Sequence, residues 1–277
     1  MNDLSIELIN IQKITAGKIS QIDDRVVVEE PMEIQLEYSS ATGRIKKNIA
    51  VTMRTPGNDE ELAIGFLFTE GIINNASAIE EAKQSSLDSN RLLVILKENS
   101  VPALTNISRN FYSTSSCGIC GKASIEAIQT VTQFSQATEG LYIKASVFYP
   151  LLQKLKKEQV NFKNTGGIHA SALFDLDGNF IMLREDVGRH NALDKIIGAA
   201  LMKNELPLNN CILLLSGRAS FELIQKATMA GILIIASIGA PSSLAVELAK
   251  ESGITLIGFL KDDQFNIYAG KERITLI

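Results

Sequence analysis

Apolar positions alternate with polar ones in the N-terminal part of the chain. Val26, Val27 and Val28 form a β-branched run, and Met32, Ile34, Leu36 and Tyr38 then alternate with polar neighbours. The polar, Gly-containing stretch 39–44 interrupts the pattern before Ile49, Val51 and Met53 resume it, which predicts a hairpin or meander. Asn58 followed by Asp59, Glu60 and Glu61 reads as the start of a helix over 59–70, with Glu61 at the N3 position of a box-like cap and Gly71 as the stop. Residues 74–90, rich in Asn, Ser and Glu, read as a short helix with loops, and 92–96 as a short apolar strand. Ile125, Ile128 and Val131 lie at helical spacing over 124–136, and a further helix beginning at Ser146 has Leu151, Leu152 and Leu155 on one face.

From residue 164 the pattern changes. Strands over 168–174 and 180–183 flank an Asp-Leu-Asp-Gly-Asn turn; helices 190–203, 219–230 and 242–251 then alternate with strands 211–215, 232–237 and 254–260. Runs such as Ile212-Leu213-Leu214-Leu215 are apolar on both faces, as a sheet covered by helices on both sides requires. The expected class is α/β, divided into a β-rich part with one helix over 1–110 and a layered α/β domain over 111–277.

Composition adds mainly exclusions. The chain has 277 residues, 45% apolar and 21% charged, enough to bury a large core. A net charge of -4 gives no basic stripe for nucleic acid and no polybasic segment for a membrane. The first residues lack a positively charged start followed by an apolar run, and no apolar run approaches ~18 residues, so a cytoplasmic protein is expected. Three cysteines make a disulfide framework a poor expectation and a reducing compartment a natural one.

Two of those cysteines carry the strongest chemical signal. Cys117-Gly118-Ile119-Cys120 follows four hydroxyl residues and precedes Gly121-Lys122 and a helical pattern. A thiol just before a helix N-terminus, with a lysine nearby, is favoured as thiolate and can attack a donor persulfide and hold the extra sulfur; the second thiol can resolve or shuttle. The same pair suits an inert structural role or half of a zinc site completed by His169 and His190, the only histidines. A zinc-dependent nucleotide deaminase would need a glutamate two residues after its histidine, yet position 171 is Ser, and its histidine should precede a cysteine pair. His169 reads equally as a strand histidine lining a cleft. Cys211 opens an apolar strand and reads as a small hydrophobe.

The second signal is polar. Arg184-Glu185-Asp186-Val187-Gly188-Arg189-His190-Asn191 sits between an apolar strand and a helix, where a ligand cleft competes with a solvated helix start. Ser216-Gly217-Arg218 and Gly239-Ala240-Pro241-Ser242-Ser243 each follow a strand and open a helix, so their N–H groups, hydroxyls and Arg218 suit an anionic or nucleotide-bearing ligand. Ordinary capping by Ser220 and Ser242 is the competing account.

In these blocks the chain resembles the formate dehydrogenase accessory sulfurtransferases of the FdhD type. The resemblance runs over 54–268: Arg54 to Leu62, the Ser-Cys-Gly-Ile-Cys-Gly loop, Gly166 to Ser171, Arg184 to Asp194, Ser216 to Ser220, Ala240 to Leu244 and Phe259 to Tyr268. It implies a three-layer α/β/α sandwich similar to the cytidine deaminase fold with a smaller β-rich N-terminal subdomain. It further implies a carrier that accepts sulfur from a cysteine desulfurase and passes it to a molybdenum cofactor bearing two molybdopterin guanine dinucleotides, before that cofactor enters formate dehydrogenase. Cys117 matches the persulfide-bearing cysteine and Cys120 the accompanying thiol, while Phe259, Leu260, Lys261, Asp262, Asp263 and Gln264 match the cofactor-binding stretch. Members are typically homodimers. Ser216, Gly217, Arg218, His169 and Arg189 are expected to complete the cofactor cleft, with Arg184 adding charge and with no metal bound directly by the protein. Lys261 and backbone amides are expected to meet phosphate, leaving Asp262 and Asp263 for guanine N–H donors. A cofactor chaperone without sulfur chemistry is the remaining alternative.

Overall fold

The structure is a computed structural model that describes residues 4–104, 134 and 140–276. It opens with a long hairpin, β1 (Ile6–Thr15) and β2 (Lys18–Val27), joined by Ala16 and Gly17 in the left-handed region. A four-stranded sheet follows, of order β4-β3-β6-β5, from β3 (Glu30–Ser40), β4 (Gly43–Arg54), β5 (Ile79–Gln84) and β6 (Arg91–Leu96). Helix α1 (Asp59–Thr69) packs on it. The short β7 (Ile143–Lys144) pairs in parallel with β14 (Ile274–Thr275).

The main sheet has six strands in the order β13-β12-β11-β10-β8-β9, made of β8 (His169–Asp175), β9 (Phe180–Asp186), β10 (Cys211–Leu215), β11 (Ile234–Ser237), β12 (Thr255–Gly258) and β13 (Asn266–Ala269). β10, β11 and β12 run parallel, whereas β8, β9 and β13 supply antiparallel pairings. Alternation along β10 explains the layers. Leu213 and Leu215 face a core shared with α4 (Arg189–Met202), α5 (Phe221–Met229) and α6 (Ser243–Glu251), while Ile212 and Leu214 face a second core shared with α2 (Leu151–Glu158). This is an α/β/α arrangement. Met32, Ile34, Leu36 and Leu92 of the four-stranded sheet join the first core through α1, so apolar burial is continuous between the two sheets.

Two glycines set how α1 meets α4. A Cβ on Gly65 would collide with the Asp194 carbonyl, and one on Gly198 with the Glu61 carbonyl; the helix backbones touch directly. A buried cluster locks the crossing beside them. Lys226 donates to Asp194 Oδ2 at 2.9 Å and to Thr69 Oγ1 at 2.9 Å, and Thr69 in turn donates to Asp194 Oδ1 at 2.8 Å.

Several sequence expectations need correction. The stretch 74–90 contains a strand, β5, preceded by a single 3-10 turn over 76–78; its Ile-Glu-Glu-Ala-Lys-Gln sequence is polar because it forms an exposed sheet edge. Asn58 does not cap α1 through its side chain: it takes a left-handed conformation (φ 57°), and Glu61 pairs with Arg184. Residues 145–147 form a 3-10 turn, with the helix itself beginning at Leu151. The helix expected over 124–136 lies mostly outside the described residues. α3 (Val160–Thr165) and most of the first hairpin carried no sequence reading.

Candidate functional site

β10, β11 and β12 end at one edge of the main sheet, where β9 also ends and antiparallel β8 begins. The loops leaving this edge are stitched by backbone pairing beyond the strands. Ala170 N–H donates to Ser216 Oγ at 2.8 Å, Gly239 N–H to Gly217 O at 3.0 Å, and Phe259 N–H to Gly239 O at 3.2 Å. A Cβ at Gly239 would stand 3.0 Å from the Arg218 backbone, so glycine lets the two loops touch. Phe259 is held at φ 52°, a left-handed conformation costly for a bulky residue, of order 1–3 kcal/mol.

His169, the first residue of β8, lies against Gly217, whose absent side chain would sit 3.4 Å from the imidazole. Burial pushes the His169 pKa below its ordinary 6.5, with Arg189 and His190 acting in the same direction, so the ring is held neutral. Arg189 opens α4; its Nε is buried and has no hydrogen-bond partner in the structure. His190 Nε2 lies 2.8 Å from Glu222 Oε2 and 3.4 Å from Ser220 Oγ, which joins the starts of α4 and α5.

One carboxylate organises this loop. Asp186 is fully buried, accepts from Gly188 N–H at 2.8 Å, Thr55 N–H at 3.2 Å and Asn191 Nδ2 at 3.2 Å, and pairs with Lys195 Nζ at 2.7 Å. Burial raises its pKa, and Lys195 opposes that shift. Lys195 also donates to Thr55 O at 2.9 Å, and Asn191 to Met53 O at 2.8 Å. The segment 53–55 and the start of α4 are therefore one hydrogen-bonded unit. Arg54 beside it is 1% exposed and forks onto Asp59 with two 3.1 Å bonds. This second motif borders an open cleft of about 520 Å³ lined by Glu30, Arg54, Pro56, Asn58 and Glu60 among others.

A model of the FdhD/NarQ family matches residues 27–275. The chain belongs to that family. Among its relatives, the "Sulfur carrier protein FdhD" of Mycolicibacterium paratuberculosis is 46% identical over 271 residues, 95% of this chain and 97% of that protein. The protein of the same name from Sulfolobus acidocaldarius is 41% identical over 273 residues, covering 99% of this chain and all of the other. A crystal structure described as a formate dehydrogenase accessory protein from Desulfotalea psychrophila superimposes with a TM-score of 0.71, covering 98% of this chain and 99% of that one at 24% identity, a likeness of fold.

In this FdhD/NarQ chain the sheet edge brings together His169, Ser216, Gly217, Arg218, Arg189, Phe259 and Leu260. Cys117 and Cys120 lie outside the described residues. Arg218, Lys261, Asp262, Asp263 and Gln264 are exposed, and Leu260 is buried, its N–H bonded to Ser237 O at 3.1 Å. Asp262 accepts two bonds from Gln153 Nε2, at 3.0 and 2.9 Å, which leaves Asp263 the less committed carboxylate. Arg184 departs from expectation: Glu61 grips it with bonds of 2.5 and 2.7 Å, so its charge is spent on holding β9 to α1. Ser242 caps α6 by accepting from Ala245 N–H at 3.3 Å, while Ser220 makes no such bond to α5. Sequence reading placed Asp186 in a candidate ligand cleft and gave no individual role to Lys195, Thr55 or Glu222. The available signal was Asp194-Lys195 inside the apolar stretch 192–201, where charges need buried partners. Cys211, the described cysteine, has its pKa raised by burial, as a packing thiol should.

Proposed function

We propose that this family member is a sulfurtransferase in which Cys117 carries sulfane sulfur from a cysteine desulfurase to a bis(molybdopterin guanine dinucleotide) molybdenum cofactor destined for formate dehydrogenase. The thiolate of Cys117 attacks the outer sulfur of the donor's persulfide; an S–S bond forms on Cys117 and the donor cysteine leaves as thiolate. Leaving again as sulfide requires two electrons. Cys120 supplies them by attacking the inner sulfur, which ejects the outer atom as HS⁻ toward the cargo and leaves a Cys117–Cys120 disulfide for a dithiol reductant to reopen. The molybdenum cofactor is cargo throughout.

The observation that supports this reading most is near-full-length similarity to proteins named sulfur carriers, in a chain whose main sheet edge offers unspent donors. Arg189 Nε lacks a partner, Arg218 is exposed, and α4, α5 and α6 start at this edge. These are cationic and N–H-rich features suited to the pyrophosphates of a dinucleotide. The test incubates the full chain with a cysteine desulfurase and cysteine, then assays cyanide-labile sulfur. About one labile sulfur per chain, lost in Cys117→Ala, is the expected result; equal labelling of Cys117→Ala would refute the role of Cys117.

A further inference from the structure

The loop between β12 and β13 is pinned at both ends to the α2 side of the main sheet. Leu260 is 1% exposed, and the Phe265 ring lies 5.3 Å from that of Phe148 and 5.8 Å from that of Tyr149, so each end sits in the core that also takes Leu151 and Leu155. Between these pins Lys261 N–H donates to Gln264 O at 2.9 Å, which closes a tight reversal of the chain with Asp262 and Asp263 at its centre. All four residues of the reversal are exposed.

One of its side chains is tied to a distant element. Asp262 accepts from Gln153 Nε2, on the first turn of α2, through both carboxylate oxygens at 3.0 and 2.9 Å, a link between positions 109 apart in the chain. Lys261, Asp263 and Gln264 make no side-chain hydrogen bond among the described residues. The tie therefore directs Asp262 at α2 and leaves Lys261 and Asp263 as the uncommitted charges of the turn. An exposed turn that is ordered before a ligand arrives loses less conformational freedom on binding, so a fixed turn binds more tightly than a loose one bearing the same side chains.

We infer that Gln153 is a positioning residue: it holds Asp262 against α2 and so presents Lys261 and Asp263 to the cargo, while Asp262 itself touches no part of that cargo. The inference rests on the reading that stretch 259–264 meets the dinucleotide, and it removes Asp262 from the pair expected to serve guanine. Isothermal titration of the full chain with guanosine diphosphate reads the effect. Gln153→Ala should weaken binding about three- to tenfold, and Gln153→Glu more, because it sets a second carboxylate beside Asp262. Melting temperatures should stay within about 2 °C of wild type, since both side chains are on the surface. Combining Gln153→Glu with Asp262→Asn exchanges donor and acceptor at unchanged net charge and side-chain length, and should restore affinity to within about threefold of wild type. Asp262→Asn alone keeps an acceptor for Gln153 and should cost about threefold or less. The assignment is overturned by unchanged affinity in both single Gln153 variants, by a double variant as weak as Gln153→Glu, by losses that track a lowered melting temperature, or by a loss beyond about tenfold in Asp262→Asn, which would put that carboxylate on the ligand. A wild type that takes up no guanosine diphosphate would overturn the reading of the cleft and this inference with it, whereas weakening confined to the Gln153 variants without rescue would sink the inference alone.

Discussion

Asp186 shows how much one buried side chain can organise. Replacing it by alanine leaves the Lys195 ammonium without its counter-charge and strips acceptors from the N–H groups of Thr55 and Gly188. Breaking a buried pair in this way should cost about 3–5 kcal/mol, read as a lower urea midpoint for Asp186→Ala. Its effect should also reach the cofactor edge, because Gly188, Arg189 and His190 take their positions from it. His169 gives a pH signature. Its folded pKa lies below the unfolded 6.5, so the unfolded chain binds more protons, and the stability contributed by the neutral ring is lost as pH falls below the unfolded value toward the folded one. Melting temperatures taken between about pH 7.5 and 5 should fall more steeply for the wild type than for His169→Asn. Arg218 and Lys261 separate cargo binding from sulfur loading: Arg218→Ala should weaken binding of guanosine diphosphate about ten- to hundredfold by isothermal titration, leaving cyanide-labile sulfur unchanged. At this scale the sequence revealed which residue types gather at the site. It did not reveal that Arg184 is engaged by Glu61, since that pairing joins positions 123 apart in the chain.

Among the elements, α1 and α4 carry the junction between the two sheets. Their backbones meet at Gly65 and Gly198, where even a methyl group strikes a main-chain carbonyl that cannot swing aside. Gly198→Ala should therefore separate the helices and cost about 3 kcal/mol in urea unfolding, more than an ordinary overpacking substitution at a flexible contact. The strands of the main sheet were legible because they are apolar on both faces and bounded by helix starts; 211–215 was read with its observed limits. Strand β5 was not, since its residues face solvent and its conformation comes from register with β6. The helix expected over 219–230 starts two residues later and ends one earlier, and the one expected over 242–251 starts one residue later, because helix ends depend on local geometry that periodicity does not encode. The left-handed Asn58 is a similar case: a residue type suited to capping serves a turn instead.

For the whole molecule, α/β layering followed from the alternation of helical and apolar segments, whereas the expectation of a deaminase-like sandwich came from the family resemblance alone. The joining of the N-terminal sheet to the main core was hidden, because it depends on two glycines and a lysine–aspartate cluster in distant segments. The sequence signal for function was concentrated in Cys117-Gly118-Ile119-Cys120, which lie outside the described residues. No helix among the described residues is long and apolar enough to cross a membrane. The central claim is that Cys117 ferries sulfur. Its most direct measurement is intact-protein mass spectrometry after incubation with a cysteine desulfurase and cysteine, followed by fragmentation to locate the added mass. The account predicts one sulfur atom, about 32 Da, on Cys117, removed by cyanide and required for formate dehydrogenase maturation; full maturation by Cys117→Ala, or sulfur found only elsewhere in the chain, would contradict it.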